Sequence, residues 1–400
     1  MSCKVPMSLN NKPHSGEIVL VGGGFGGLTT AIALSRTKNR PPIILIEPKD
    51  NFVFTPLLYE LLSGEVRSWE IAPTYKKFLG NKGVVMIQSF AKCINTDKQI
   101  VTTSCGLNIN YSQLVIGTGS RPNDFGIPGV SEHALMFQTL MDVHVLKKLI
   151  KKIKIEKKPK PIVIVGAGPT GIELACKLFD LLGSHTDIKL IELKERVLPN
   201  GKSFNQDQCE RSLKERDIDI YLQTKVLSIT SSHVKLFTDK NQIDKTFELT
   251  HGGVIWTAGA KAVVPEIFPP IPLKNGMISV DSSLNVMNLK NVFALGDLAL
   301  NEQIPYPLTA QVAMQQGELT AKNLMALRIG EEMKPFEYQD NGEMLSLGIG
   351  QATITGFGLT IAGSMAFQIR RMAYLTKMPN WTTGLRATFA WVLNNFKQCK

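Results

Sequence analysis

Two groups of glycines, each trailed by a glutamate, are the residues in this 400-residue chain best spaced to do chemistry. Gly22, Gly24 and Gly27 stand at G-x-G-x-x-G spacing with Phe25 inside the loop, and Glu47 follows about 20 residues after the last glycine. The pattern repeats as Gly166, Gly168 and Gly171, with Glu192 again about 20 residues on. Such glycines permit a tight turn and close backbone approach to a diphosphate, and a helix starting there offers free N–H groups and a partial positive charge. The distal carboxylate accepts ribose hydroxyls. One loop of this kind occurs readily by chance; two, each with its acid, imply two dinucleotides between which electrons pass.

Glu173 falls two residues past the last glycine of the second loop, in the first helical turn. It is either a carboxylate stabilised by the helix N-terminus or a group acting beside a nicotinamide. Gly296 and Asp297 end the apolar run N-V-F-A-L-G-D, where an acid can hydrogen-bond a ribityl or ribose hydroxyl. Gly117 and Gly119, in G-T-G-S-R-P, permit close approach to a ligand. Gln311 and Gln315 are four apart and share a helix face. They form either an exposed polar face or a pair of amides for a quinone carbonyl.

These residues need a parallel α/β framework. Ile18–Val21 and Ile43–Ile46 read as buried strands around a helix Leu28–Arg36, and Ile162–Val165 and Ile188–Ile191 repeat the arrangement. Leu114–Ile116, Gly253–Ala258 and the run at 291–297 supply further buried strands. A β-meander is expected over 84–103, a strand pair over 218–237, and a helix from Pro307 with Thr309 as its cap. The aromatics Phe52, Phe54 and Tyr59 follow the second strand, as core or as ligand lining. The expected domains are a flavin domain in two parts, 14–135 and 275–330, a nicotinamide-nucleotide domain over 160–262, and a C-terminal quinone- and membrane-associating region over 331–400.

Composition describes a folded globular chain, 44% hydrophobic and 20% charged, with net charge +11. No run of 18 apolar residues or signal peptide is evident, so a cytoplasmic or peripheral location is expected. The six cysteines, Cys3, Cys93, Cys105, Cys176, Cys209 and Cys399, lack metal-site or redox-dithiol spacing. Residues 147–161 carry eight lysines against Glu156, a solvated helix leading into a linker or a phospholipid-facing patch. From Ala366 onward, Phe367, Ile369, Met372, Tyr374, Trp381, Leu385, Phe389, Trp391, Val392 and Phe396 alternate with Arg370, Arg371, Lys377, Arg386 and Lys397. That mixture suits a helix lying in a membrane interface; the competing reading is a docking helix in a homodimer.

With both glycine loops, G-T-G, V-F-A-L-G-D and T-A-Q-V-A-M-Q in this order, the chain resembles the type II NAD(P)H dehydrogenases. The segments N-F-V-F-T-P-L-L-Y-E, N-G-E-M-L-S-L-G-I-G-Q-A-T-I-T-G and I-R-R-M-A-Y-L-T-K-M-P are most similar to the cyanobacterial and plastid branch that reduces demethylphylloquinone. The resemblance implies two Rossmann-like domains of the pyridine nucleotide-disulfide reductase type. It implies FAD on Gly22, Gly24, Gly27, Glu47 and Asp297, and NADH or NADPH on Gly166, Gly168, Gly171 and Glu192. It further implies Glu173 near the reacting rings and Gln311 and Gln315 in a quinone motif. The implied partners are a quinone and the cytoplasmic side of a cytoplasmic or thylakoid membrane, with no nucleic acid. Glu192 favours NADH by repelling a 2′-phosphate, an effect softened by Lys194 and Arg196. The rival readings are a sulfide:quinone oxidoreductase, which needs reactive cysteines, and a non-catalytic pyridine-nucleotide-sensing flavoprotein.

Overall fold

The computed structural model describes residues 17–238, 245–356 and 358–377. They fall into two compact units. One comprises Met1–Val53, Ala72–Arg121 and Lys261–Gln339; the other comprises Phe54–Ile71, Pro122–Ala260 and Asp340–Lys400.

In the first unit a five-stranded parallel sheet runs in the order Val292–Ala294, Gln113–Ile116, Ile18–Val21, Ile43–Ile46, Val84–Ile87. Its central strands are continuous runs of buried Ile, Val and Leu, as a sheet covered on both faces requires. Register pairs Val21 with Ile46 and with Ile116, and Ile116 with Ala294, so four strands finish at one edge. Gly22, Glu47, Gly117 and Gly296 are therefore delivered to the carboxyl ends of adjacent strands, where ligands bind in such sheets.

The helix Phe25–Ser35 begins three residues earlier than periodicity places it. Gly24 is its N-cap in extended conformation, so the glycine loop itself contributes the first helical turn. This helix lies along Ala310–Ile329, capped by Thr309, whose hydroxyl accepts the Val312 N–H at 3.2 Å. Thr30 donates to the carbonyls of Gly26 and Gly317 at 2.9 and 3.2 Å, and a Cβ on Gly317 would stand 2.5 Å from the Gly26 oxygen. The expected meander also divides. Val84–Ile87 joins the parallel sheet beside Ile43–Ile46, and Ala91–Asn95, Ile100–Thr103 and Asn108–Asn110 form the antiparallel part.

The second unit holds a similar sheet, ordered Asp219–Tyr221, Ile188–Ile191, Ile162–Val165, Gly253–Trp256, Ala134–Leu135. The strand pair expected over 218–237 appears as the hairpin Thr224–Ile229 and His233–Thr238, extended by Lys245–Thr250. A second antiparallel sheet, Glu343–Ser346, Ala352–Gly356 and Leu359–Gly363, carries the helix Ser364–Lys377. Ala366 and Phe367 close a small core with Ala352 and Ile354. Met365, Ile369 and Met372 stay exposed on the same helix. Of the residues on which the interfacial-helix expectation rested, Phe367 and Arg370 are buried, and Trp381, Leu385, Arg386, Phe389, Trp391, Val392, Phe396 and Lys397 lie outside the described residues. Among the described residues no helix is long and apolar enough to cross a membrane, and no His, Cys, Asp and Glu side chains cluster as a metal site.

Candidate active site

Beyond Val21 the chain turns at Gly22, whose φ of +98° suits only glycine. A Cβ there would lie 2.4 Å from the Gly117 carbonyl oxygen, and one on Gly27 would lie 2.0 Å from that of Gly22. Strand, loop and helix are thus held at backbone-to-backbone contact. A Cβ on Gly24, by contrast, would meet nothing within 4 Å. That open space above a helix N-terminus is the cradle a diphosphate needs. Glu47 spans the loop's far side, accepting the Gly23 N–H at 2.7 Å and the Lys49 N–H at 3.0 Å. Tyr75, which spacing did not single out, donates its hydroxyl to the Gly23 carbonyl at 2.7 Å. Phe25 meets Phe52 edge-on at 5.1 Å.

In the same unit Asp297 accepts the Ser120 hydroxyl at 2.6 Å. Gly296, at φ +75°, donates its N–H to the Gln316 amide oxygen at 2.7 Å. Gln316 is buried and was not among the expected residues. Gly119 is likewise left-handed, at φ +70°, with open space where a Cβ would stand. Gln311 donates to the Tyr338 hydroxyl at 2.6 Å, while its carbonyl oxygen is buried with no protein partner. Gln315 exchanges two hydrogen bonds with the backbone of Gln339, at 2.8 and 3.0 Å. The two amides share a helix face, but only Gln311 keeps an uncommitted acceptor.

The second glycine loop reproduces the first almost atom for atom. Gly166 has φ +101°, a Cβ on Gly171 would lie 1.8 Å from the Gly166 oxygen, and the place of a Cβ on Gly168 is open. Glu192 accepts N–H groups from Ala167 at 2.7 Å and Lys194 at 2.9 Å. Beyond it opens a cleft of about 540 Å³ lined by Leu193, Lys194, Arg196, Gln223, Lys225 and Phe237 among others. Both loops fit a dinucleotide on these observations: a cradle open at the helix N-terminus, and a carboxylate fixed at the end of the next strand.

Glu173 has partners beyond its own helix N-terminus. It is buried in the helix Pro169–Leu182, where its Oε1 accepts the Ser346 N–H at 2.8 Å and an Arg370 N–H at 3.2 Å. The nearby Tyr59 hydroxyl favours the charged form of Glu173. Burial lifts the Glu173 carboxyl to about 7 despite Arg370 and the Ser346 N–H, which pull it down, and nearby Glu60 pushes it further up. Arg370 is 1% exposed, bonds Glu60 through one nitrogen and donates to the Pro56 carbonyl at 3.1 Å through another. Burial opposes its charge, but the carboxylates of Glu60 and Glu173 outweigh that and hold it protonated. Beside them the fully buried Lys177 bonds Glu65. Glu60 and Lys177 carried no signal in spacing, because their partners Arg370 and Glu65 lie far along the chain, and Arg370, expected in an interfacial helix, is instead buried against Glu60 and Glu173. Phe54 and Tyr59 are buried too, Phe54 edge-on to Tyr374 at 5.4 Å.

Two glycine–carboxylate cradles on parallel sheets, with a buried carboxylate on the helix of the second, define a flavoprotein class that binds a pyridine nucleotide beside its flavin. The chain belongs to the pyridine nucleotide-disulphide oxidoreductase family, whose model matches residues 16–317, and within it to the type II NAD(P)H dehydrogenases. It is 34% identical over 391 residues to the demethylphylloquinone reductase NdbB of Synechocystis, covering 94% of this chain and 95% of that protein. It is 30% identical to the alternative NAD(P)H-ubiquinone oxidoreductase C1 of Arabidopsis thaliana, covering 96% and 81%. Its fold matches that of Plasmodium falciparum NDH2, solved in complex with NADH, at a TM-score of 0.83 and 17% identity over 94% and 97% of the two chains.

Proposed function

We infer that this chain is an FAD-dependent NAD(P)H:quinone oxidoreductase, with a prenylated naphthoquinone of the demethylphylloquinone type as its acceptor. The observation that carries this is the twinned cradle together with Glu173, a buried carboxyl lifted to about 7 within the second unit. When bound, FAD takes a hydride from NAD(P)H and passes two electrons to the quinone.

The chain's own residues bind, orient and hold protons. Gly22, Gly24, Phe25, Gly27 and Glu47 hold the FAD adenylate half, and Gly117, Gly119 and Asp297, steadied by Ser120, receive the rest of it. Gly166, Gly168, Gly171 and Glu192 hold the pyridine nucleotide. Gln311, whose amide nitrogen is committed to Tyr338, can accept a hydroxyl of the quinol product through its free carbonyl oxygen, and Gln315 stiffens that segment through Gln339. Glu173 holds a proton close to neutral pH and would give it to an oxygen of the quinone as that is reduced, completing the quinol and leaving the carboxylate. The basic, aromatic C-terminal region attaches the enzyme to the cytoplasmic face of a cytoplasmic or thylakoid membrane. Steady-state assay of purified protein with NADH, NADPH and a panel of naphtho- and benzoquinones tests the reading. Flavin that is reduced but never reoxidised by any quinone would favour the nucleotide-sensing alternative.

Two of the thiols do not suit sulfide:quinone chemistry. Cys176 and Cys209 are buried, and burial pushes the Cys176 thiol up to about 11 and that of Cys209 higher still, so neither is a thiolate near neutrality.

Glu173 predicts a pH dependence. Its folded value lies above its ordinary one of 4.5, so the folded chain binds the extra proton between pH 4.5 and about 7. Stability contributed by this group is full below 4.5, falls as pH rises to about 7, and is lost above. Quinone reduction should decline over the same upper limb. Glu173→Gln should flatten both profiles near pH 7 and slow turnover roughly 100-fold, the scale of a lost proton donor; an unchanged rate profile would remove Glu173 from proton transfer.

Glu192 predicts cofactor choice. Alanine there removes the acceptor for a ribose hydroxyl, a charged hydrogen bond worth about 1.5–3 kcal/mol. The KM for NADH should rise roughly 10- to 100-fold while that for NADPH changes less, since repulsion of the 2′-phosphate is relieved. Equal losses for both cofactors would mean that Glu192 acts only as a brace for the loop.

A further inference from the structure

The helix Leu140–Ile155 is fixed in the second unit by Val143, Leu146, Ile150 and Ile153, one buried stripe at helical spacing. A capping box ties its N-terminus: Thr139 accepts the Asp142 N–H at 3.1 Å and Asp142 accepts that of Thr139 at 2.8 Å. Asp142, the helix's only acid, is thereby consumed. The opposite stripe, Met141, Val145, Lys148, Lys152 and Ile155, faces outward, with Met141 66% and Ile155 82% exposed. Lys151 and Lys154 flank it, and Lys157, Lys158 and Lys160 continue it. From 147 to 160 there are eight lysines and one acid, a net charge of 8 − 1 = +7. Lys152 is paired with Glu156 at 3.7 Å. Among the described residues no carboxylate is within ion-pair distance of Lys148, Lys151 or Lys154.

We propose that the outer face of this helix is a docking surface for an anionic phospholipid bilayer, on which it lies flat along its length of about 24 Å. Two observations select lipid over other polyanions. Lysines so spaced match a headgroup layer of negative charge, and each gains about fivefold in partitioning near such a surface. Bare Met141, Val145 and Ile155 between them cost solvation in water and serve nothing on a phosphate backbone, whereas in a bilayer they enter the headgroup–acyl boundary. Long lysine stems then spread over the apolar side chains and keep their ammonium groups at the phosphates. The surface is built from residues other than those of the C-terminal region and rests on the quinone reading only in that the acceptor is lipid-soluble.

The test uses full-length flavin-loaded protein and sedimentation with phosphatidylcholine vesicles, with and without phosphatidylglycerol. Binding is expected only with the anionic lipid and is expected to weaken with salt. Lys148→Gln, Lys151→Gln, Lys152→Gln and Lys154→Gln combined should reduce the salt-sensitive part of this binding at least about 100-fold, leaving attachment through the C-terminal region. Met141→Ser with Ile155→Ser should reduce it at high salt as well. Both variants should reduce a short-chain, water-soluble quinone at the wild-type rate, which shows that they are folded. An enzyme without quinone activity whose vesicle binding still follows this pattern would sink the proposed function and leave the docking surface standing. Undiminished vesicle binding by the four-lysine variant overturns the proposal, as does tighter binding to duplex DNA than to anionic vesicles.

Discussion

Gly27→Ala is expected to yield a chain that purifies without flavin colour. The new Cβ would lie 2.0 Å from the Gly22 carbonyl oxygen and 3.1 Å from its carbon, with backbone on both sides and no flexible side chain to yield. Relief requires the helix Phe25–Ser35 to withdraw from the strand end by more than about 1 Å, since carbon–oxygen contacts close at roughly 3.3 Å. Its N-terminal N–H groups would leave the position where a diphosphate is held, and the Glu47 bond to Gly23 would stretch with them. Gly171→Ala, where the Cβ would be 1.8 Å from the Gly166 oxygen, makes the informative contrast. That variant should keep its flavin and lose reduction by NAD(P)H, because the damage is confined to the second cradle. Visible absorbance of each purified variant, before and after addition of NADH, separates the two. Full flavin in Gly27→Ala would show that the first loop is a structural turn.

Arg370→Leu is expected to destabilise the protein by about 3–5 kcal/mol, the range for removing one partner of a buried ion pair. The loss is large because of what stays behind. Glu60 is buried with one carboxylate oxygen already lacking any protein partner, and without Arg370 it becomes an uncompensated charge. Glu173 would lose the cation that pulls its carboxyl down, so its titration should move upward from about 7. Arg370→Lys should restore part of the stability, since it keeps the charge but cannot bond Glu60, Glu173 and the Pro56 carbonyl at once. Glu60→Leu combined with Arg370→Leu should be closer to wild type than Arg370→Leu alone. Chemical denaturation of the four proteins gives the stabilities, and pH–rate profiles give the titration. A single variant as stable as wild type would mean that the pair is solvated and does not set the Glu173 environment.

The residues readable from sequence are those whose geometry is made locally. In a strand that ends in G-x-G-x-x-G, the turn, helix start and close contact are made by neighbouring backbone atoms, and the glycines permit that arrangement where a Cβ would clash. Both cradles, their strands and their carboxylates were therefore legible from spacing alone. The buried strands were legible for a related reason: continuous Ile, Val and Leu runs of four residues fit only a sheet covered on both faces. Three-dimensional packing decided the rest. That Glu173 is buried and lifted to about 7, rather than only steadied by its helix N-terminus, depends on desolvation by distant segments and on Arg370, Ser346 and Glu60, up to 197 residues away along the chain. No periodicity within Pro169–Leu182 encodes those partners. The difference between Gln311 and Gln315 was likewise set by Tyr338 and Gln339, and the division of the lysine-rich helix into a buried and an outward stripe by the unit it packs against. Desolvation and ion pairing are properties of an assembled interior, so they appear only when distant segments meet.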